Sequence, residues 1–182
     1  MGIQLVFVVE TDEKSRSDYI YIKSILDYRY KIQLENRIKI SPVFMRGKEN
    51  YNQRRVANKI DSLCKQYRRN GETKVIFCFD TDQFDINPID QKMLIEKEIY
   101  CRKNNYEYVW FCHDIEEVFL GYSVADNEKT KYASKYATHN DVNKVVINNL
   151  KSDIKVRKKS NLVLVLDRIL DRYIIPKSPS GM

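Results

Sequence analysis

The chain has 182 residues, enough for one domain with a substantial core and room for a small appendage. Its 43% hydrophobic content is that of an ordinary globular protein and excludes a disordered or collagen-like chain. Lys and Arg number 32 against 25 Asp and Glu, and the resulting formal charge of +7 points to an anionic partner.

The first apolar run, 3–9, predicts a strand that ends at Glu10. It is too short for a signal-peptide core, and no later run approaches membrane-spanning length, so a soluble cytoplasmic protein with no membrane partner is expected. Ser15 or Ser17 is placed to cap a helix running to about residue 30, with Asp18 favourable in its first turn. A second strand, 38–44, contains Pro42, which belongs near a sheet edge. A long helix follows over 51–69. Val56, Ile60, Leu63 and Tyr67 form its inner stripe, and Arg54, Arg55, Lys59 and Lys65 lie on its outer face. Asn70-Gly71 reads as its C-terminal stop.

The third strand is the unbroken apolar run 75–79, which meets Asp80 and Asp82. Asn87 and Pro88 are the cap and first position of a helix extending to about 102. A fourth strand, 106–112, ends at His113 and Asp114. Asp114 caps a short helix over 115–120 that Gly121 stops. Beyond it lie a polar stretch with a thin apolar stripe (126–139), a helix after Asp141 carrying Val142, Val145, Val146, Ile147 and Leu150, and a final helix over 162–173 capped by Ser160. Residues 176–182 read as a loose tail. The four cysteines, Cys64, Cys78, Cys101 and Cys112, form no CxxC pair and are expected to be free thiols.

Repeated strand–helix alternation predicts an α/β fold, a mostly parallel four-stranded sheet with helices on both faces in three layers, plus C-terminal helices. Right-handed crossovers put all the strand ends on one edge. The expected organisation is a core of 1–122 and a basic helical appendage, 123–182, packed on it.

That edge would collect Glu10 from the first strand, Asp80 and Asp82 with Asp85 close behind from the third, and His113 and Asp114 from the fourth. Carboxylates gathered so closely repel one another unless a cation or proton joins them. An all-oxygen set suits Mg2+ or Mn2+ better than zinc. Such a cation would polarise a phosphoryl oxygen. His113 is a candidate acid/base or substrate contact, and one of Glu116 and Glu117 would face the same edge. Arg46 and Lys48 follow the second strand on this edge. Lys129, Lys131, Lys135, Arg157, Lys158 and Lys159 lie in the appendage. These are the candidate contacts to a nucleic-acid backbone, with Tyr132 and Tyr136 as stacking platforms for bases.

Val8-Val9-Glu10 after the first strand and Phe79-Asp80-Thr81-Asp82 after the third resemble the Toprim fold, the metal-binding module of topoisomerases, bacterial primases and several nucleases. Thr11 stands where that family usually has glycine. Within the superfamily the chain looks most like the RloB-like group, associated with restriction and abortive-infection loci. The points of likeness are Asp85 soon after the Asp-x-Asp, Glu117 ahead of Phe119-Leu120, and Ser160-Asn161 before a hydrophobic helix. The group's Asn-Pro-Cys-Phe is replaced by His113-Asp114-Ile115-Glu116. The resemblance implies that Glu10, Asp80 and Asp82 bind magnesium. It also implies that the protein is a nuclease cutting DNA or RNA in antiviral defence, sometimes beside a partner ATPase. The competing expectation is a non-catalytic module that binds nucleic acid or docks on an ATPase, with a structural ion.

Overall fold

The computed structural model describes residues 2–173, the side chain of Gln33 excepted. Strands β1 (Gly2–Val9), β2 (Ile38–Phe44), β3 (Gly71–Asp80) and β4 (Glu107–Phe111) form one all-parallel sheet in the order β2-β1-β3-β4. Crossover helices α1 (Ser17–Tyr30), α2 (Arg54–Tyr67) and α3 (Pro88–Lys103) join successive strands. Helices α4 (Ile115–Leu120), α5 (Lys129–Thr138) and α6 (Leu162–Leu170) follow β4.

The near-continuous apolar strands follow from burial on both faces. Ile3, Leu5, Phe7 and Val9 of β1 pack with α1, α4, α5 and α6 on one side. Val6 and Val8 point the other way, toward Val56 and Ile60 of α2 and Cys101 of α3. Gln4, the one polar residue inside β1, is fully buried; its amide donates to Ser41 Oγ at 2.8 Å and accepts from Thr73 Oγ1 at 3.2 Å. Ala133, Tyr136, Leu150, Leu162 and Leu166, all beyond residue 122, lie in the same cluster as β1 and α1. The four cysteines are free. Among the described residues no helix is long and apolar enough to cross a membrane.

Asn87 accepts from the Ile89 N–H with Pro88 at the first helical position, Asp114 accepts from the Glu117 N–H at 2.6 Å, and Gly121 ends α4 at φ 86°. Other boundaries differ from the sequence reading. Helix α1 is preceded by Arg16 in the left-handed region with no side-chain cap. The expected serine cap is absent; in the turn ahead of the helix, Asp12 Oδ1 accepts from the backbone N–H groups of Lys14 and Ser15. Gly71 opens β3 instead of closing α2. A Cβ there would lie 1.8 Å from the Gly2 carbonyl oxygen, so this glycine is what lets β1 and β3 begin side by side. The helix expected after Asp141 is two short 3-10 turns, Asp141–Lys144 and Ile147–Leu150. Its β-branched residues and Asn143, Asn148 and Asn149 lack the propensity to sustain an α-helix. The last helix ends at Leu170, three residues earlier than expected; Asn161 stands at its N-cap position, and the expected Ser160 hydroxyl accepts from the Leu162 N–H at 3.1 Å. Residues 176–182 lie outside the described residues.

Asn161 has another task. Its amide donates to the Tyr108 carbonyl and accepts from the Trp110 N–H, both at 2.9 Å, along the outer edge of β4. The Cys112 N–H is taken by the Lys159 carbonyl.

Candidate acidic site at the strand ends

The parallel register brings Glu10, at the end of β1, beside the last residues of β3. Glu10 Oε1 accepts from the Asp80 backbone N–H at 3.3 Å and sits 3.3 Å from Lys97 Nζ. Asp80 Oδ1 accepts from the Ile115 N–H at 3.0 Å, which ties β3 to the start of α4. The next loops are laced together. Thr81 N–H bonds the Phe111 carbonyl, Asp82 N–H the His113 carbonyl, and His113 N–H the Thr81 hydroxyl. Arg46, Asp82 and His113, each just past a strand, all have positive φ (63°, 49° and 66°). Non-glycine residues held there gather at functional edges.

Around Glu10 and Asp80 lie two further carboxylates, Asp18, expected only as a first-turn acid of α1, and Glu116, one of the two glutamates expected to face this edge. Asp18 of α1 is buried and accepts from the Thr11 N–H. Glu116 of α4 is fully buried, and neither of its oxygens has a hydrogen-bond partner, although Lys129 Nζ stands at ion-pair distance, 3.4 Å. Two amines face these four acids. Lys97 of α3 is 1% exposed, with its ammonium 4.5 Å from the Phe79 ring centroid. Lys129, expected on a nucleic-acid surface, instead reaches inward to the buried Glu116, with the exposed Asp126 at 3.5 Å on its other side.

Burial pushes Glu10 up to about 7, with Asp18 and Asp82 adding to it and Lys97 opposing. Burial likewise lifts Glu116 to about 7 against the pull of Lys129. Asp80 is held well above the usual carboxylate range by burial and then by Glu10, Asp18 and Glu116. Asp18 is raised by burial as well. Lys129 is raised, because Glu116 and Asp80 outweigh the burial that works against its charge.

The remaining expected residues fall into two neighbouring groups. Asp82 Oδ2 bonds Lys48 Nζ at 2.8 Å, and Lys48 also lies 3.6 Å from Asp90. His113 stands between Asp85 Oδ2 (3.4 Å) and Glu117 Oε2 (3.7 Å), and Glu117 Oε1 is held by Arg157 at 2.8 Å. Asp114 is committed to capping α4. Arg46, Lys131, Lys135 and Lys158 are exposed, and Lys159 is half-buried. Tyr136 is buried between Tyr21 and Phe119, out of reach of any base, and Tyr132 packs edge-on against Tyr122. Among the described residues no three His, Cys, Asp or Glu side chains converge as a ready-made ligand set. The donor chemistry, carboxylate oxygens in excess of amines, is nevertheless what a hard divalent cation takes. Comparisons with protein-family models, with characterised proteins and with solved structures found no match.

Proposed function

We propose that the acidic edge binds Mg2+ or Mn2+ and hydrolyses phosphodiester bonds of DNA or RNA, in the manner of a Toprim-like nuclease of the RloB-like, antiviral-defence kind. The observation that carries the reading is the charge imbalance at the sheet edge. Glu10, Asp18, Asp80 and Glu116 are crowded into a buried space, and Lys97 and Lys129 are the amines that reach into it among the described residues. Protons or a metal ion must make up the difference.

Glu10 and Asp80 would hold the ion, with Asp82 joining once Lys48 lets go of it. The cation supplies electrophilic assistance to a phosphoryl oxygen. Lys97 fixes the Glu10 carboxylate through its 3.3 Å contact and is in turn held over the Phe79 ring. His113, between Asp85 and Glu117, is placed to move a proton at the rim. Lys48, released from Asp82, would then be free to meet a phosphate.

The experiment is incubation of labelled single-stranded DNA, duplex DNA and tRNA with Mg2+ or Mn2+. Cleavage is expected with the wild type, none in EDTA and none with the Glu10→Gln/Asp80→Asn variant. Calorimetry should show metal uptake by the wild type alone. Undiminished cleavage by the double variant sinks the chemistry.

A second reading, a non-catalytic module that binds nucleic acid or docks on an ATPase, draws on one observation. Glu10 and Asp82 already have lysine partners, Lys97 and Lys48. Nucleic-acid binding without turnover under any divalent metal would favour it.

A further inference from the structure

We propose that the cleft between α2 and the C-terminal end of β2 is the track along which a phosphodiester backbone reaches Glu10. The inference rests on the nucleic-acid reading above and adds the surface that carries the strand. Two clefts of about 570 Å3 each adjoin there. One runs from Glu10 along the β1–α1 turn. The other continues across the end of β2 to α2, and both are lined by Glu13 and Arg46. The second cleft presents Arg16, Arg46, Arg55 and Lys59 against the single carboxylate of Glu13.

The charge in this cleft is unspent. Arg16 Nε donates to the Glu13 carbonyl at 2.9 Å, and its guanidinium lies 5.8 Å from the Phe44 ring centroid. Arg55 donates to the Phe44 and Met45 carbonyls at 3.3 and 2.6 Å. Both are therefore held in place by neutral groups and keep their full charge for a ligand. Arg46 meets Glu13 only at 3.9 Å, with both side chains more than half exposed, a contact that water screens. Among the described residues no carboxylate pairs with Arg16, Arg55 or Lys59. Arg55 and Lys59 are four apart on one helix face, so their charges form a row.

The C-terminal region is the opposite. Lys129, Lys131, Lys151, Lys155 and Arg157 each face a carboxylate of this chain, so their charge is largely answered internally. Arg16, Arg46, Arg55 and Lys59 thus form a cationic group beside the acidic edge where β1 and β2 end. A cleft lined by four cationic side chains, two of them with fixed guanidinium groups, fits phosphates better than an apolar protein partner.

The test is fluorescence anisotropy with labelled single-stranded and duplex oligonucleotides in EDTA, at salt from about 50 to 200 mM. Arg46→Glu/Lys59→Glu should weaken binding at least tenfold and flatten the salt dependence by about one to two phosphate contacts. Lys131→Glu/Lys135→Glu, on the rival surface, should change it less than twofold. The milder Lys59→Gln, with an unchanged circular dichroism spectrum, should give a smaller loss in the same direction. Equal losses from both double variants, a loss from the rival pair alone, or no binding by the wild type would overturn the inference. So would anionic vesicles replacing oligonucleotide as the ligand that responds to Arg46 and Lys59. Because EDTA removes hydrolysis from the measurement, binding through the cleft without cleavage under any metal would count against the nuclease reading and leave the cleft standing. Cleavage undiminished by the cleft variant would overturn the cleft alone.

Discussion

Replacing Glu116 by Gln should stabilise the protein at pH 8 and do little at pH 5. Glu116 is fully buried with both oxygens unpartnered, and burial raises it from 4.5 to about 7. A group whose folded pKa exceeds its unfolded pKa binds more protons in the folded state. Stability is therefore complete below about 4.5 and falls as pH rises to about 7. Each pKa unit is worth about 1.4 kcal/mol, so the ionised side chain costs about 3 kcal/mol at pH 8. Glutamine keeps the shape and never ionises. Some of the gain is lost because its amide remains unpartnered and Lys129 loses an anion. A net gain of about 1–2 kcal/mol, or about 3–6 °C for a chain of this size, is the expected result. Thermal melts at pH 5 and pH 8 in EDTA measure it. If Glu116→Gln lowers the melting temperature equally at both pH values, the carboxylate is not carrying the burden assigned to it. Added Mg2+ should raise the wild-type melting temperature at pH 8 more than at pH 5.

Lys97→Met should act with the opposite sign at high pH. It strips Glu10 of its buried amine, and breaking such a pair costs about 3 kcal/mol when the carboxylate is charged. The loss of melting temperature should be larger at pH 8 than at pH 5, and equal losses would refute the pairing. Asn161→Ala removes two hydrogen bonds from the outer edge of β4, about 1 kcal/mol each. It should also speed hydrogen exchange at the Trp110 amide, and unchanged exchange would show that something else protects that edge.

The sheet was legible in the chain because burial on both faces writes a conspicuous pattern. The runs ending at Val9 and Phe79 had to be interior strands, and the acids after them had to share an edge. The rest of the acidic cluster was hidden by helical context. Asp18 sits where any helix welcomes an acid, and Glu116 is one of two adjacent glutamates whose facing is set only by docking of α4. Lys97 stands between Glu96 and Glu98 and looks like part of a solvated face. A signal did exist, since Leu94, Lys97 and Cys101 follow an i, i+3, i+7 spacing that puts the lysine on the inner stripe. The stretch after Asp141 misled because its apolar residues recur at helical intervals while their branching and the intervening asparagines favour tighter turns. Lys129 gives no inward signal in so polar a segment, whereas Tyr136 belongs to its thin apolar stripe, and that stripe is the side of α5 that meets α1.

The side-chain amide of Asn161 occupies hydrogen-bonding positions that an incoming strand would need, which leaves β2, among the described residues, as the flank with free main-chain groups. Pro42 thins even that flank, having no N–H to offer. Main-chain zippering between copies through β2 would join two molecules and then meet a blocked rim at β4, an arrangement that works against fibrillar growth.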